Sequence, residues 1–304
     1  VASDGGSGLA QVCTRTGAGA SNCREFTPET TVTLAAVDGT GKQAWATVRD
    51  GADQVSVERS DTIGVDSTAP TGLGVSIAGG AAYVPGSSVQ VTLTGSDATS
   101  GRASYAVSTD GGTTFGAEQP WTASPQTANV TLATGAGARD EVVRFTDVAG
   151  NSATAEDDVT VDTTPPGLAS VTIAGGAAWT GSSTVAVSLS ATDNGLLSHY
   201  CLKATGTSAP LASDACWKAF TTNVTGHVLE AGDGTRSVTA WVRDAAGNVS
   251  ASRSDSIGVD TTAPTVTSFV LESGAAWTRS TTVSASAAGN GTGSPIARWC
   301  IGTT

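Results

Sequence analysis

One phrase occurs three times in this sequence at an almost constant interval. Val-Asp-Ser-Thr-Ala-Pro at 65–70 returns as Val-Asp-Thr-Thr-Pro-Pro at 161–166 and as Val-Asp-Thr-Thr-Ala-Pro at 259–264. The distance from Val65 to Val161 is 96 residues, and from Val161 to Val259 it is 98. A fixed period indicates a repeat architecture, and this period is the size of one small β-sandwich. We therefore expect tandem domains.

Other segments repeat on the same frame. Gly-Gly-Ala-Ala-Tyr at 79–83 returns as Gly-Gly-Ala-Ala-Trp at 175–179, and Asp-Val-Ala-Gly-Asn at 147–151 returns as Asp-Ala-Ala-Gly-Asn at 244–248. The frame predicts four parts, which are the C-terminal part of a domain at 1–65, whole domains at 66–161 and 162–259, and the N-terminal part of a domain at 260–304. The sequence contains no methionine, and we expect it to be a fragment of a longer repetitive chain.

Short runs of alternating polarity predict the fold of each domain. Val89, Val91 and Leu93 alternate with polar residues, as do Val143 and Phe145, and this period of two marks half-buried strands. We predict strands A, B, C, E, F and G of one domain near 73–77, 88–96, 103–108, 127–133, 139–146 and 152–161. The expected fold class is all-β, with tandem immunoglobulin-like β-sandwich domains arranged as a rod.

Charge and hydropathy exclude two classes of partner. Asp and Glu number 27 against 15 Lys and Arg, which gives a net charge of −12. Nucleic acid is not an expected partner, because phosphate binding needs clustered basic residues. No apolar run approaches the roughly 18 residues of a membrane span, so none is expected in this segment. The excess of carboxylates suits divalent cations, although a soluble acidic surface accounts for most of them.

The five cysteines indicate disulfide bonds. The simplest pairs are Cys13 with Cys23 and Cys201 with Cys216. Cys300 aligns with Cys13 and Cys201, so its expected partner lies after residue 304. In 66–161 the two corresponding places hold Ala106 and Pro120, and the joint loss of both cysteines is what a bonded pair leaves behind. Disulfides imply an oxidising, extracellular compartment.

The recurring motifs resemble those of bacterial Ig-like repeats. The motifs are Asp-x-x-Ser-Gly after strand B, a hairpin at 108–112, Asp-x-Ala-Gly-Asn after strand F, and Val-Asp-Thr-Thr-Ala-Pro between domains. Such repeats occur in large secreted or surface-anchored proteins, including adhesins and their stalk regions. The resemblance implies a module of this class at the bacterial cell surface, but a fold alone does not imply an activity.

Aspartates recur at one end of each predicted domain. The linker before strand A, the B–C loop and the F–G loop share one tip of an immunoglobulin-like sandwich. The sets expected there are Asp66, Asp97 and Asp147; Asp162, Asp193 and Asp244; and Asp260, with Asn290 in place of the B–C aspartate. Ca²⁺ prefers oxygen ligands, so we expect calcium at the joints. The alternative is that these aspartates only cap tight turns.

Aromatic residues and catalytic motifs give few indications of function. Tyr105, Tyr200 and Trp299 occupy the strand C position that usually buries a large ring. Tyr83, Trp179 and Trp277 are the only set placed to bind sugar, with core or interdomain packing as the alternative. Neither a HExxH motif, a nucleophile elbow nor a Walker loop occurs. We therefore expect no enzyme activity.

These observations predict a structural spacer in a long extracellular bacterial protein, a stalk or filament of Ig-like repeats. Exposed strand edges would allow association with copies of itself or with neighbouring repeats. Two alternatives stay open. One is an adhesin whose modules bind glycan or a host protein directly, and the other is an accessory region of a secreted polysaccharide enzyme.

Overall fold

A computed structural model describes residues 2–204 and 206–302. The chain divides into two compact units, which are residues 1–82 with 86–161, and residues 83–85 with 162–304. Nearly all regular structure is β-strand, as predicted. No helix among the described residues is long and apolar enough to cross a membrane. The division into four parts and the rod arrangement stay predictions.

The first twelve strands span residues 9–161. Those up to residue 65 are β1 (Leu9–Thr16), β2 (Asn22–Glu25), β3 (Gly39–Asp50) and β4 (Arg59–Val65). Those of 66–161 are β5 (Thr71–Ile77), β6 (Tyr83–Val84), β7 (Ser88–Ser96), β8 (Arg102–Ser108), β9 (Gln119–Pro120), β10 (Gln126–Thr131), β11 (Gly137–Asp147) and β12 (Ser152–Val161).

The strands of 162–259 are β13 (Gly167–Ile173), β14 (Trp179–Thr180), β15 (Thr184–Thr192), β16 (Leu197–Ala204), β17 (Lys218–Ala219), β18 (Asn223–Val228), β19 (Gly234–Asp244) and β20 (Arg253–Val259). Two strands follow, β21 (Thr265–Leu271) and β22 (Ala285–Asn290). Short 3₁₀ helices form at Ala174–Gly176 and Glu272–Gly274.

The repeat 66–161 is a two-sheet sandwich. One sheet has the order β10-β7-β5, and the other contains β12-β11-β8-β9. The alternating residues predicted from the sequence fill the space between them, because Val91, Leu93, Val143 and Phe145 are all at most 1% exposed. A backbone N–H of β5 donates to Asp157 Oδ2 on β12 at 2.8 Å, which connects the two sheets. The immunoglobulin-like class is thus confirmed by topology and burial.

The repeat 162–259 has the same plan. Its sheets have the orders β13-β15-β18 and β14-β20-β19-β16-β17. Its core is a continuous cluster that includes Ile173, Val187, Val238 and Val242. The same strand order one repeat later confirms that the sequence period reflects a structural period.

The outer parts of the chain each contain one sheet. Residues 2–65 form the sheet β2-β1-β3-β4, in which only Val12 and Cys13 are buried. Strands β21 and β22 pair with each other, and none of the described residues 261–302 is buried.

The predicted aromatic core is confirmed in the two whole repeats and is wrong in the last segment. Tyr105 and Tyr200 are 6% and 7% exposed, whereas Trp299 is 65% exposed. Trp121 is the largest fully buried side chain, and its ring lies 4.9 Å from that of Phe145.

Candidate metal centre

The predicted aspartates converge in both whole repeats. Asp66, Asp97 and Asp147 each offer a carboxylate oxygen within 4.8 Å of the others. Asp162, Asp193 and Asp244 form the same group in the next repeat. We call these the first and second acidic clusters. Each draws its members from the linker, the loop after strand B and the end of strand F.

Hydrogen bonds hold the first acidic cluster together. Asp66 Oδ2 accepts from Ser100 N at 3.0 Å, and the side chain of Ser100 is the main reason that the pKa of Asp66 lies below its usual value. Asn151 Nδ2 donates to Asp147 Oδ2 at 2.9 Å and to the Asp66 carbonyl at 3.1 Å. Asn151 therefore ties the linker to the F–G turn.

The second acidic cluster repeats this arrangement and is more deeply buried. Asp162 is 2% exposed and Asp244 is 1% exposed. Asn248 Nδ2 donates to Asp244 Oδ2 and to the Asp162 carbonyl, both at 2.8 Å. Asn194 Nδ2 donates to Asp162 Oδ1 at 3.2 Å. The bridging asparagines were not predicted, although the repeated Asp-x-Ala-Gly-Asn motif contains them.

One buried oxygen of the second cluster has no hydrogen-bond partner among the described residues. Asp193 Oδ2 accepts from Gly195 N at 3.0 Å, but Asp193 Oδ1 is buried and lacks a hydrogen-bond partner among the described residues. Gly195 lies against two carboxylates, since a Cβ there would stand 2.8 Å from Asp162 Oδ2 and 3.3 Å from Asp193 Oδ2. An orphaned carboxylate oxygen in a group of three acids fits a divalent cation, because such a charge is costly to bury unpaired.

The turn-capping interpretation also describes these residues. Asp97 Oδ1 accepts from Gly101 N at 2.6 Å, and Asp244 Oδ1 accepts from Gly247 N at 2.7 Å and Asn248 N at 2.8 Å. Hydrogen bonds within the turn account for both oxygens of Asp147 and Asp244, and for one oxygen of each other carboxylate. They do not account for the gathering of three carboxylates, which repel one another at this distance.

Asp260 has a different environment. Its Oδ2 accepts from Ser294 N at 2.6 Å and Ser294 Oγ at 2.7 Å, and these bonds lower its pKa. Asn290 ends β22. Asp260 joins no group of three acidic residues in the part of the chain that the structure describes.

A second set of aspartates, not predicted as site residues, also holds the linkers. Asp38 directly precedes β3, and its carboxylate accepts from Ser67 N at 2.9 Å, from Ser67 Oγ at 2.8 Å and from the Thr68 hydroxyl. These bonds, that of Thr68 first, place the pKa of Asp38 below its usual value. We call this arrangement the linker clasp.

Asp233 makes the same linker clasp before β19. Its carboxylate accepts from Thr261 N at 2.9 Å, Thr261 Oγ1 at 2.7 Å and Thr262 Oγ1 at 2.8 Å. Arg236 fixes the loop by donating to its carbonyls, Glu230 O at 3.0 Å among them. The Asp-Gly pairs at 38–39 and 233–234 were the available sequence signal.

Asp233→Ala is expected to open the linker clasp without unfolding a repeat. The backbone N–H of Thr261 loses its acceptor, so its hydrogen exchange should accelerate about tenfold, the equivalent of one net hydrogen bond. Exchange measured by NMR on the full chain tests this, with Ser67 N–H in the unaltered Asp38 clasp as the internal control. Unchanged exchange at Thr261 would contradict the assignment.

The predicted disulfides are present in the structure. Cys13 is bonded to Cys23 and Cys201 to Cys216, and Cys300 is free and exposed. Each bridge closes the hairpin that follows strand C of its repeat. In 66–161 the same hairpin is held by Asp110, whose carboxylate accepts from Ser108 Oγ at 2.6 Å and Thr114 Oγ1 at 2.6 Å. These bonds lower the pKa of Asp110 to about 2.

The candidate sugar-binding aromatics have unequal environments. Trp179 is 42% exposed, and its ring lies so close to Gly258 that a Cβ there would approach within 2.3 Å. Trp277 is 93% exposed. Trp179 therefore has a packing role on strand β20, while Trp277 contacts little among the described residues.

Comparisons with known proteins find similar structures only. Fibronectin(III)-like modules of Clostridium thermocellum CbhA are 17% identical over 61% of this chain and 93% of theirs, with a TM-score of 0.39. A 1.5-MDa bacterial ice-binding adhesin is 19% identical over 83% and 85%, with a TM-score of 0.34. A Ca²⁺-stabilised ice-binding adhesin of an Antarctic bacterium is 20% identical over 86% and 68%, with a TM-score of 0.32. No protein-family model and no curated protein matches the sequence.

Proposed function

We propose that this chain is a structural spacer in a long extracellular bacterial protein, a stalk or filament of Ig-like repeats whose joints are stiffened by Ca²⁺. The observation that carries the proposal is the second acidic cluster, in which Asp193 Oδ1 is buried without a partner among the described residues. The first cluster repeats the same geometry one period earlier. A site that recurs in each whole repeat suits a structural role in the tandem repeats better than the binding of a single substrate.

Calcium at these clusters would act on the linkers. Asp66 and Asp162 belong to the linkers, and the other members of each cluster lie after strand B and at the end of strand F of the repeat that follows. A cation bound by all three carboxylates would neutralise their repulsion and fasten the linker to that repeat. Two disulfides support an oxidising compartment outside the cell, and copies of the chain or neighbouring repeats are the proposed partners.

Calcium titration by calorimetry on the full chain tests the proposal. We expect two sites with a Kd of about 10⁻⁴ to 10⁻³ M, the range of extracellular modules. Asp97→Ala and Asp193→Ala should each remove one site, whereas Asp61→Ala, at an exposed aspartate on β4, should remove none. The absence of heat, together with unchanged stability in a chelator, would reject the calcium site.

One observation favours the alternative of a glycan-binding adhesin. Trp277 exposes 93% of its surface and Trp179 exposes 42%, and exposed aromatic faces are what a sugar platform requires. A glycan array with the full chain tests this alternative. Binding that is lost in Trp277→Ala or Trp179→Ala would favour the adhesin, and an inert array would favour the spacer.

A further inference from the structure

Glu141 is a buried acid in the sandwich core of the repeat 66–161. It lies on the same inward-facing side of β11 as Val143 and Phe145, and it is 1% exposed. Neither Glu141 Oε1 nor Oε2 has a hydrogen-bond partner among the described residues. The corresponding residues, six positions before the aspartate that ends strand F, are Val238 in 162–259 and Ala44 in 1–65. An ionisable carboxyl group therefore occupies a position that Val238 and Ala44 fill with an apolar side chain.

The surroundings of Glu141 disfavour its ionised form. Burial is the main cause that raises its pKa from 4.5 to about 7, Arg139 opposes the shift, and the charges of Asp110 and Asp140 add to it. Asp157 is its cross-strand neighbour on β12, and Asp157 Oδ2 is engaged by the N–H of Ile77. Among the described residues no hydrogen bond reaches the two buried oxygens of Glu141, so only the charge of Arg139 favours its ionisation.

The same repeat lacks the disulfide bond that 1–65 and 162–259 have. Ala106 stands where Cys201 is bonded in 162–259, and the strand register places Ala117, not Pro120 as predicted from the sequence, at the position of Cys216. Its hairpin depends on the hydrogen bonds of Asp110, which open reversibly with the strands around them. A disulfide limits how far an opened chain can extend, and here that limit is missing.

We propose that 66–161 opens before 162–259, and that the proton on Glu141 controls the opening. The repeat is closed in acid, and it opens more readily as the pH rises and the buried carboxyl ionises. In a stalk, such a repeat would supply extensible length at neutral or alkaline pH while the bonded repeats stay folded.

The direction of the pH dependence follows from the two protonation states of Glu141. The folded repeat binds the proton of Glu141 more tightly than the unfolded chain does. The stabilisation that this proton gives the fold is therefore complete below about pH 4.5 and is lost as the pH rises to about 7. Each pH unit in this window changes the opening equilibrium tenfold, which gives about 300-fold in total.

Hydrogen exchange of the full chain, followed by mass spectrometry from pH 4.5 to 8.5 and corrected for intrinsic rates, tests the proposal. Peptides of β11 and β12 report on 66–161, and those of β19 and β20 in the same molecule are the control. In the wild type we expect opening of 66–161 to rise about 300-fold across this range. In Glu141→Val, which installs the residue of the other repeat, we expect a flat profile and about 300-fold slower exchange at pH 8.

Two further variants keep the test decisive. Glu141→Gln retains the shape and removes the charge, so it should also flatten the profile even if the valine variant misfolds. Glu156→Val, at an exposed position of β12, should leave the wild-type profile unchanged. The proposal is overturned if Glu141→Gln keeps the wild-type pH dependence, or if β19 and β20 show the same rise as β11 and β12.

Discussion

Replacing Asp193 with asparagine is expected to abolish the calcium-dependent stabilisation of the repeat 162–259. In the wild type, free calcium about 100-fold above Kd should add about 2.7 kcal/mol to the free energy of unfolding. That gain corresponds to a rise in Tm of about 10 °C or more for a domain of this size. The asparagine keeps an acceptor for Gly195 N but removes the charge that the cation needs.

The same variant should behave in the opposite way without calcium. Removing one of three mutually repelling carboxylates relieves the repulsion, so in a chelator the variant should be at least as stable as the wild type. Scanning calorimetry of both proteins, in a chelator and with free calcium about 100-fold above the wild-type Kd, separates the two effects. Asp61→Asn is the matched control. An equal calcium-induced rise in Tm in Asp193→Asn would show that this carboxylate does not bind the ion.

Removing the Cys201–Cys216 bond is expected to cost 162–259 about 3 kcal/mol, because the bond closes a loop with a sequence separation of 15. The variant Cys201→Ala, Cys216→Ala should therefore lower the Tm of this repeat by about 10 °C or more. It also leaves Trp217, which stacks on Arg243 at 4.7 Å from the ring centroid, in a less constrained hairpin.

The control for the disulfide prediction lies within the same chain. The repeat 66–161 has no disulfide, so its transition should keep its Tm in this variant. Scanning calorimetry of the full chain follows both transitions. If the variant and the wild type unfold at the same Tm, the hairpin is held by its other contacts, such as the ion pair of Lys203 Nζ and Asp214 Oδ2 at 2.8 Å.

Much of the sandwich could be predicted because its strands alternate strictly. The predicted strand B at 88–96 matches β7, and the predicted strand G at 152–161 matches β12. The two-residue strands β6 and β9 were missed, because a pair of residues carries no period. Convergence of the aspartates was also predictable, since linker and loops share one tip in this topology.

Other features of the site needed three-dimensional contacts. The bridging role of Asn151 and Asn248 depends on where one amide group points, and many residues separate the linker from the F–G turn. Asp38 reaches Ser67 across 29 positions of sequence. Neither relation has a periodic signature. The residue types were visible, and their partners were not.

The sequence by itself determined the repeat length, the strands and the positions of the recurring aspartates and cysteines, because period and polarity are properties of the chain order. Only the tertiary structure decided which side chains lose water. Glu141 occupies an inward-facing position on β11, yet glutamate is a residue usually found on the surface. Only its burial in the structure shows that this carboxyl group lies in the core. Likewise, Asp193 Oδ1 is unpaired among the described residues because of the atoms packed around it. Desolvation depends on neighbours brought together from distant parts of the chain, and no local pattern records it.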